Sequence, residues 1–354
     1  MENSIGLEKL MPYLLKTHLK LDLDFLNKLL VDASKSNKPH GNQEFAKAIK
    51  CPVNKNKKLA MTVYGWIKGY RTVPLSKLGV IIELSKYSWK DVEENLISIK
   101  AGIRKGEICP RFPIKVDEGL GSIVGHILGD GAIDKRGHYV FYSNSNINLL
   151  KEFRLHMLDI FGIEPRIWVQ EKRLFHEKTK WMKRVYTLSE VPRGHNVGLF
   201  YPKICVDVLY ALFGKFAEGK KKKITKKIMD SNKEFKIGLV RAFFDDEGSI
   251  SSKSYTLRLH QDNPLILNSI KNILNELGIK SNILRSSFRR EKFRYYFNIT
   301  GYDGYAKFYK FIGCTSPKKN KEFVLLIKKV KNSVKFKNKV FFDSPISNNS
   351  NTRA

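Results

Sequence analysis

Two short segments of this 354-residue chain place a carboxylate and a glycine in the same setting. Ile123-Val124-Gly125-His126-Ile127-Leu128-Gly129-Asp130-Gly131-Ala132-Ile133 and Val240-Arg241-Ala242-Phe243-Phe244-Asp245-Asp246-Glu247-Gly248-Ser249-Ile250 are each an apolar run closing on acid, glycine, small residue and isoleucine. The apolar runs predict helices and the glycines end them, so Asp130 and Glu247 stand at two helix C-termini. The dipole of a last turn disfavours an anion there. Gly125 and Gly129, four apart, share a helical face, and small residues on that face admit a second helix closer than the usual separation of about 8–10 Å. The expected partner is the helix of the other segment, where Ala242 is small and Asp246 stands at the position of Gly129. Carboxylates brought together in that way need a cation, and oxygen-only ligands favour Mg²⁺, or Mn²⁺, as a hard divalent ion.

The elements that must position these acids are themselves repeated. An offset of 117 residues takes Gly131 to Gly248 and Asn146 to Asn263, where each copy starts an amphipathic stretch that ends in Phe161-Gly162-Ile163 or Leu277-Gly278-Ile279. A period this long is a duplicated domain and not a solenoid. Each copy reads as helix, two strands, helix, two strands, helix. In the second, Tyr255 to Gln261 and Phe293 to Thr300 alternate apolar and polar residues, as strands with one wet face do. Leu267, Ile270, Ile273, Leu274 and Leu277 have helical spacing for covering the dry face. The first copy predicts strands at His138 to Ser143, Arg166 to Lys172 and Lys183 to Ser189, with helices at Ile147 to Phe161 and Pro202 to Phe213.

Residues 1–115 have no counterpart in the repeat. They predict a small all-α domain, with helices at Gly41 to Lys50, Met61 to Gly69 and Pro74 to Tyr87. The expected division is 1–115, then repeats at 116–232 and 233–340, then a polar tail at 341–354. Lys220 to Lys227 reads as the linker between the repeats.

The balance of 65 Lys and Arg against 34 Asp and Glu, a net charge of +31, points to a polyanionic partner, and for a cytoplasmic protein that is nucleic acid. No stretch approaches the roughly 18 consecutive apolar residues of a membrane span, and no signal peptide is expected. Cys51, Cys109, Cys205 and Cys314 lie too far apart for a zinc or disulfide framework and read as free thiols.

The paired motif and its duplicated helix and strand order resemble the LAGLIDADG homing endonucleases, in particular the single-chain kind with two repeats, over about residues 116 to 335. The resemblance implies an α+β fold in which two pseudo-twofold αββαββα repeats form a β-saddle on DNA, with the motif helices packed at the pseudo-twofold axis. Asp130 and Glu247 match the family's metal-binding acids, which hold Mg²⁺ so that water attacks one phosphodiester of each strand. Gln261 and Asn144 match its polar residues near the metal-bound water. Its supporting basic residues map to Lys318 or Lys319 and to Lys221 or Lys222, with Lys319 and Lys222 preferred. Asp246, where a small residue is usual, and Arg241 depart from the pattern.

On the predicted wet faces, Thr256, Arg258 and His260 share one strand, Arg294, Tyr296, Asn298 and Thr300 another, and Arg289 and Arg290 sit at the turn between strands. Arg and Asn on a ribbon can read base edges, while most other contacts go to phosphate. In the N-terminal domain, Phe45 to Ile49, Thr62 to Arg71 and Pro74 to Leu78 look like a repressor-type helix-turn-helix, with Thr62, Tyr64 and Lys68 outward and Val63 and Ile67 inward. The whole predicts a monomeric, Mg²⁺-dependent endonuclease that makes double-strand breaks at a long site in double-stranded DNA. The alternatives are a non-cleaving transcription regulator of the same fold, or a maturase acting on intron RNA.

Overall fold

The structure, a computed structural model, describes residues 2–14, 16–35, 45, 47–51, 61–102, 106–170, 181–192, 194–219, 221–289 and 292–342. The chain forms two compact units, the first ending at Asp246 and the second starting at Glu247. Among the described residues no helix is long and apolar enough to cross a membrane.

The N-terminal part of the first unit holds β1 (Ser4–Ile5), α1 (Leu7–Leu10), β2 (His18–Leu21), α2 (Leu23–Lys35), α3 (Met61–Ile67), β3 (Val73–Pro74), α4 (Leu75–Glu83), α5 (Trp89–Glu94), β4 (Leu96–Lys100), β5 (Glu107–Ile108) and β6 (Ile114–Lys115). This corrects the expected all-α domain. A four-stranded sheet, in the order β3-β2-β4-β5, runs through it, and β1 pairs with β6. These strands have two to five residues each, too few to show alternation, and β2 pairs with β3 and β4, both far from it in sequence. Leu19 and Leu21 of β2 face a core with Leu26, Leu29, Val63, Trp66, Leu78 and Ile99. Of the first expected helix and the turn after it, residues 41–44, 46 and 52–60 lie outside the described residues.

The first repeat follows with α6 (Glu118–Leu128), β7 (Ala132–Ile133), β8 (Tyr139–Asn144), α7 (Ile147–Phe161), β9 (Arg166–Gln170), β10 (Trp181–Val185), β11 (Val197–Pro202) and α8 (Lys203–Phe213). Asn146 caps α7 by accepting from the Asn148 N–H at 3.1 Å, and Gly162 ends it at φ 59°. The pattern αββαββα needs correcting here, because the sheet has five strands in the order β10-β9-β11-β8-β7. Two of the five strands, β7 and β11, are not among the three expected from the sequence, and β11 is the longer. Its Val197, Leu199 and Tyr201 alternate inward, but Gly198 and Pro202 look like turn residues, and Pro202 does cap the next helix. The lysine-rich linker is also structured: β12 (Ala217–Glu218) and β13 (Lys221–Lys222) pair, and α9 (Lys226–Met229) leads into α10 (Lys233–Glu247).

The second unit contains β14 (Gly248–Ser251), β15 (Thr256–Gln261), α11 (Pro264–Glu276), β16 (Arg285–Arg289), β17 (Lys292–Ile299), α12 (Gly301–Phe311) and α13 (Pro317–Phe342). Its sheet order is β14-β15-β17-β16. The first sheet repeats that order as β7-β8-β11-β9 and adds β10 at the edge. Leu257, Leu259, Phe297 and Ile299 point to the buried face and meet Ile266, Leu267, Ile270 and Ile273 of α11, as the alternation predicts. From residue 343 the expected polar tail lies outside the described residues.

Within the first unit, α6 and α10 touch backbone to backbone. A Cβ at Gly121 would lie 2.0 Å from the Phe235 carbonyl oxygen, one at Gly125 2.3 Å from that of Leu239, and one at Gly238 2.0 Å from that of Glu118. The close approach expected from Gly125 is present, and Gly121 and Gly238 extend it. Gly238→Ala should therefore destabilise the protein. The mid-helix gain of about 1 kcal/mol from removing glycine is outweighed by overpacking of about 1–3 kcal/mol or more, because the obstacle is backbone and cannot rotate away. A lowered urea midpoint checks this, and an unchanged or raised one contradicts the packing.

Candidate functional site

In the first unit the site is built where α6 ends. Asp130 follows the helix, and its Oδ2 accepts a hydrogen bond from Asn144 Nδ2 at 3.0 Å. Asn144 is the last residue of β8, so the strand that pairs with β7 returns its amide to the helix end. Behind this pair lies Asp246, with its side chain wholly buried. Tyr142 Oη donates to Asp246 Oδ1 at 2.8 Å, and the Asp130 backbone N–H donates to Oδ2 at 3.3 Å. Asn144 Nδ2 lies 3.4 Å from Oδ1. Gly129 is the reason Asp246 fits, since a Cβ at Gly129 would lie 2.6 Å from Asp246 Oδ2 and 2.7 Å from its Cβ. Lys222 Nζ donates to the carbonyls of Leu128 and Gly129 and so neutralises the negative end of α6.

A buried carboxylate this close to Asp130 needs a positive partner, and the structure supplies His126. Its Nδ1 lies 3.0 Å from Asp246 Oδ2 and its Nε2 4.0 Å from Glu152 Oε2. Burial alone would lower the His126 pKa, but the charge and hydrogen bond of Asp246, with the charges of Glu152 and Asp245, raise it above the ordinary histidine value. Read from the sequence, His126 belongs to no cluster. In the folded chain it joins α6 to α10 through Asp246 and to α7 through Glu152.

The second unit builds the same acid–amide pair around Glu247. Gln261 Nε2 donates to Glu247 Oε1 at 2.7 Å, and Gln261 ends β15 as Asn144 ends β8. The offset of 117 residues relates both the acids and the amides. His260 Nδ1 lies 3.7 Å from Glu247 Oε2. Here the histidine pKa is lowered, first by burial and then by the charges of Arg294, Lys319 and Arg258, so His260 is neutral near neutral pH. Lys319 is half-buried and its charge reaches this group, whereas Lys318 is exposed; Lys222 and Lys221 differ in the same way.

Among the described residues no three or more His, Cys, Asp or Glu gather into a cage for a metal ion. The oxygen donor suited to Mg²⁺ or Mn²⁺ in each unit is the carboxylate, and the amide beside it turns its nitrogen to that carboxylate. Mg²⁺ keeps several waters and binds through one or two carboxylates plus substrate phosphate, so it needs no protein cage.

The outward residues fall as follows. Arg258 Nε donates to Asn298 Oδ1 at 2.9 Å across β15 and β17, and its guanidinium lies 4.4 Å from the centre of the Tyr296 ring. Arg294 pairs with Asp262 at 3.5 Å. Arg289 pairs through its backbone with Lys292, and Arg290 lies outside the described residues. Tyr64 of α3 and Lys68 just after it are exposed with the ammonium 5.9 Å over the ring, and Thr62 is half-buried beside Arg71, 3.4 Å away. Val63 is buried as expected, but Trp66 is the main inward residue and Ile67 is only half-buried.

The buried ion pair has a stability signature. His126→Leu should cost about 3–5 kcal/mol, because Asp246 is left as an uncompensated buried charge, and adding Asp246→Ala should recover most of that. With the folded His126 pKa above its unfolded value of about 6.5, its contribution is complete below that value and is lost as pH rises through the folded one. Urea midpoints between pH 6 and 9 should show that decline in the unaltered protein and not in the double variant.

The LAGLIDADG-like domain model matches residues 234–313. No curated protein sequence matches the chain. Among solved structures, mesophilic variants of the homing endonuclease I-DmoI are 18% identical, with 56% of this chain and 90% of that chain covered at a TM-score of 0.37. I-DmoI in complex with DNA and Mn is 17% identical, covering 56% and 98% at 0.37. Full-length DUF199/WhiA from Thermatoga maritima is 14% identical, covering 64% and 68% at 0.38. The chain thus carries a LAGLIDADG-like domain over residues 234–313.

Proposed function

We propose that the protein is a site-specific DNA endonuclease that makes double-strand breaks at a long recognition site and depends on Mg²⁺ or Mn²⁺. The observation that carries this reading is the repeated acid–amide pair, Asp130 with Asn144 and Glu247 with Gln261, each at the end of a motif helix. A fold kept only for binding has no need of a carboxylate at both equivalent helix ends, where the dipole opposes it. Two such sites suit a duplex, which has one phosphodiester to cut on each strand.

In this reading Asp130 and Glu247 hold the cations, and a bound cation supplies Lewis-acid activation of a phosphate oxygen and of water. Asn144 and Gln261 each tether one carboxylate oxygen, which fixes how the acid faces the scissile phosphate. Lys222 and Lys319 bring positive charge to the two acid sites, where it can offset charge developing on the phosphate. In this reading each sheet lies on the duplex, and Arg258, His260, Arg294, Tyr296 and Asn298, with Arg289 and Arg290, contact one half-site. Residues 1–115 add a second DNA-reading element through Thr62, Tyr64 and Lys68 of α3. The net charge of +31 supports a phosphate-dominated interface.

Incubation of the protein with duplex DNA pools and Mg²⁺ should yield cleavage at an enriched sequence, and Asp130→Asn or Glu247→Gln should abolish it while leaving affinity within a few-fold. Sequence-selective binding with intact DNA in both Mg²⁺ and Mn²⁺ would make the protein a regulator, and tighter binding to intron RNA than to any duplex would make it a maturase. Affinity should also fall about 10³-fold or more between 50 and 200 mM salt, as expected for six or more phosphate contacts. A flat salt response would contradict a phosphate-dominated interface.

A further inference from the structure

The two sheets keep the same strand order but present different chemistry on their wet faces. The offset of 117 residues that relates the acids also places Tyr139 where Thr256 stands, Phe141 where Arg258 stands and Ser143 where His260 stands. The cross-strand partners follow the same rule. Arg258 lies opposite Asn298 in the second sheet, and Phe141 lies opposite Phe200 in the first. The polar pair Arg258–Asn298, joined at 2.9 Å, is thus replaced by two phenyl rings with centroids 4.7 Å apart. Tyr139 extends this cluster, 5.5 Å from Phe200. Trp168 lies on the same face, across Gly198, which has no side chain to stand in front of it.

These rings do not belong to the core. The inward residues of the same strands, Val140, Tyr142, Leu199 and Tyr201, are at most 1% exposed, whereas Phe141, Phe200 and Trp168 are partly exposed and Tyr139 is exposed. The charges of this face lie at its edge. Exposed Arg166 is paired in register with Phe200, and exposed Arg184 with Trp168. An apolar centre with arginines beside it complements a DNA groove, with phosphates at the arginines and base edges at the centre.

We infer that the two sheets read their half-sites by different means, the first by apolar contact of Phe141 and Phe200 with thymine methyl groups and the second by hydrogen bonds to base edges from Arg258 and Asn298. The inference rests on the DNA-binding reading above. Thymine is the one base whose major-groove edge carries a methyl group, and a phenyl ring can bury that methyl but cannot hydrogen-bond a purine. Arginine and asparagine make the bidentate contacts to guanine and adenine that phenylalanine cannot. The protein should therefore recognise an asymmetric site, with one half dependent on thymine methyls and the other on purine hydrogen-bonding edges.

The test alters the DNA and leaves the protein intact. A duplex is selected by the full chain from a randomised library without divalent ions, and deoxyuridine then replaces thymine in one half-site at a time. Removing methyls should lower affinity about fourfold for each one contacted, in one half-site only. The Phe200→Gln variant should show a smaller difference between the thymine and deoxyuridine duplexes, and the Phe141→Gln/Phe200→Gln double variant none. Replacing guanine by 7-deazaguanine should weaken binding through the other half. If a sequence is enriched but deoxyuridine has no effect in either half, or the same effect in both, the inference fails while the DNA-binding reading stands. If the methyl effect persists unchanged in the double variant, its assignment to the first sheet fails. If no sequence is enriched, the endonuclease reading itself fails.

Discussion

The backbone contact between α6 and α10 is the constraint on which the site in the first unit depends. Gly121, Gly125 and Gly238 bring carbonyl oxygens to positions where any side chain would collide. At that separation the space beyond Gly129 is just filled by Asp246, and a carboxylate is carried into the interior. Burying a charge is costly unless it is paired and hydrogen-bonded. His126, Tyr142 and the Asp130 N–H meet that requirement, and each comes from a different place: the last turn of α6, the strand β8 and the turn after α6. Helix packing, through one buried acid, thereby fixes the relative positions of Asp130 and Asn144.

The two repeats reach the same acid–amide geometry with different surroundings. In the first, a histidine with a raised pKa supports a buried acid beside the pair. In the second, the histidine beside Glu247, His260, has its pKa lowered by burial and by the charges of Arg294, Lys319 and Arg258. A half-buried lysine accompanies each. The two sheets share what holds the helix ends and the inward strand residues, where packing tolerates little change. Their outward positions differ, because a solvated residue on a strand can change without disturbing the core behind it. Phe141 and Arg258, at equivalent positions, are the clearest instance.

What the sequence by itself determined were features whose physics is local or periodic. The 117-residue offset related the two acid-glycine segments, and the alternation in Thr256 to Gln261 marked a strand facing two environments. Asn146 and Asn263 marked helix starts, and Gly162 and Gly278 helix ends, because capping and left-handed backbone are properties of a few consecutive residues. The same offset paired Asn144 with Gln261 beside their acids. Only the tertiary structure decided the rest. The short strand β2 gains its hydrogen bonds from β3 and β4, remote in sequence, and β11 hides behind a glycine and a proline. His126 reads as an isolated residue until folding sets it between Asp246 and Glu152, since the sign of a buried histidine's pKa shift is decided by which charges meet it. Nor does the sequence show the aromatic pair Phe141–Phe200, whose members are separated by the whole of α7 and meet only through strand register, which is set by the burial of their inward neighbours.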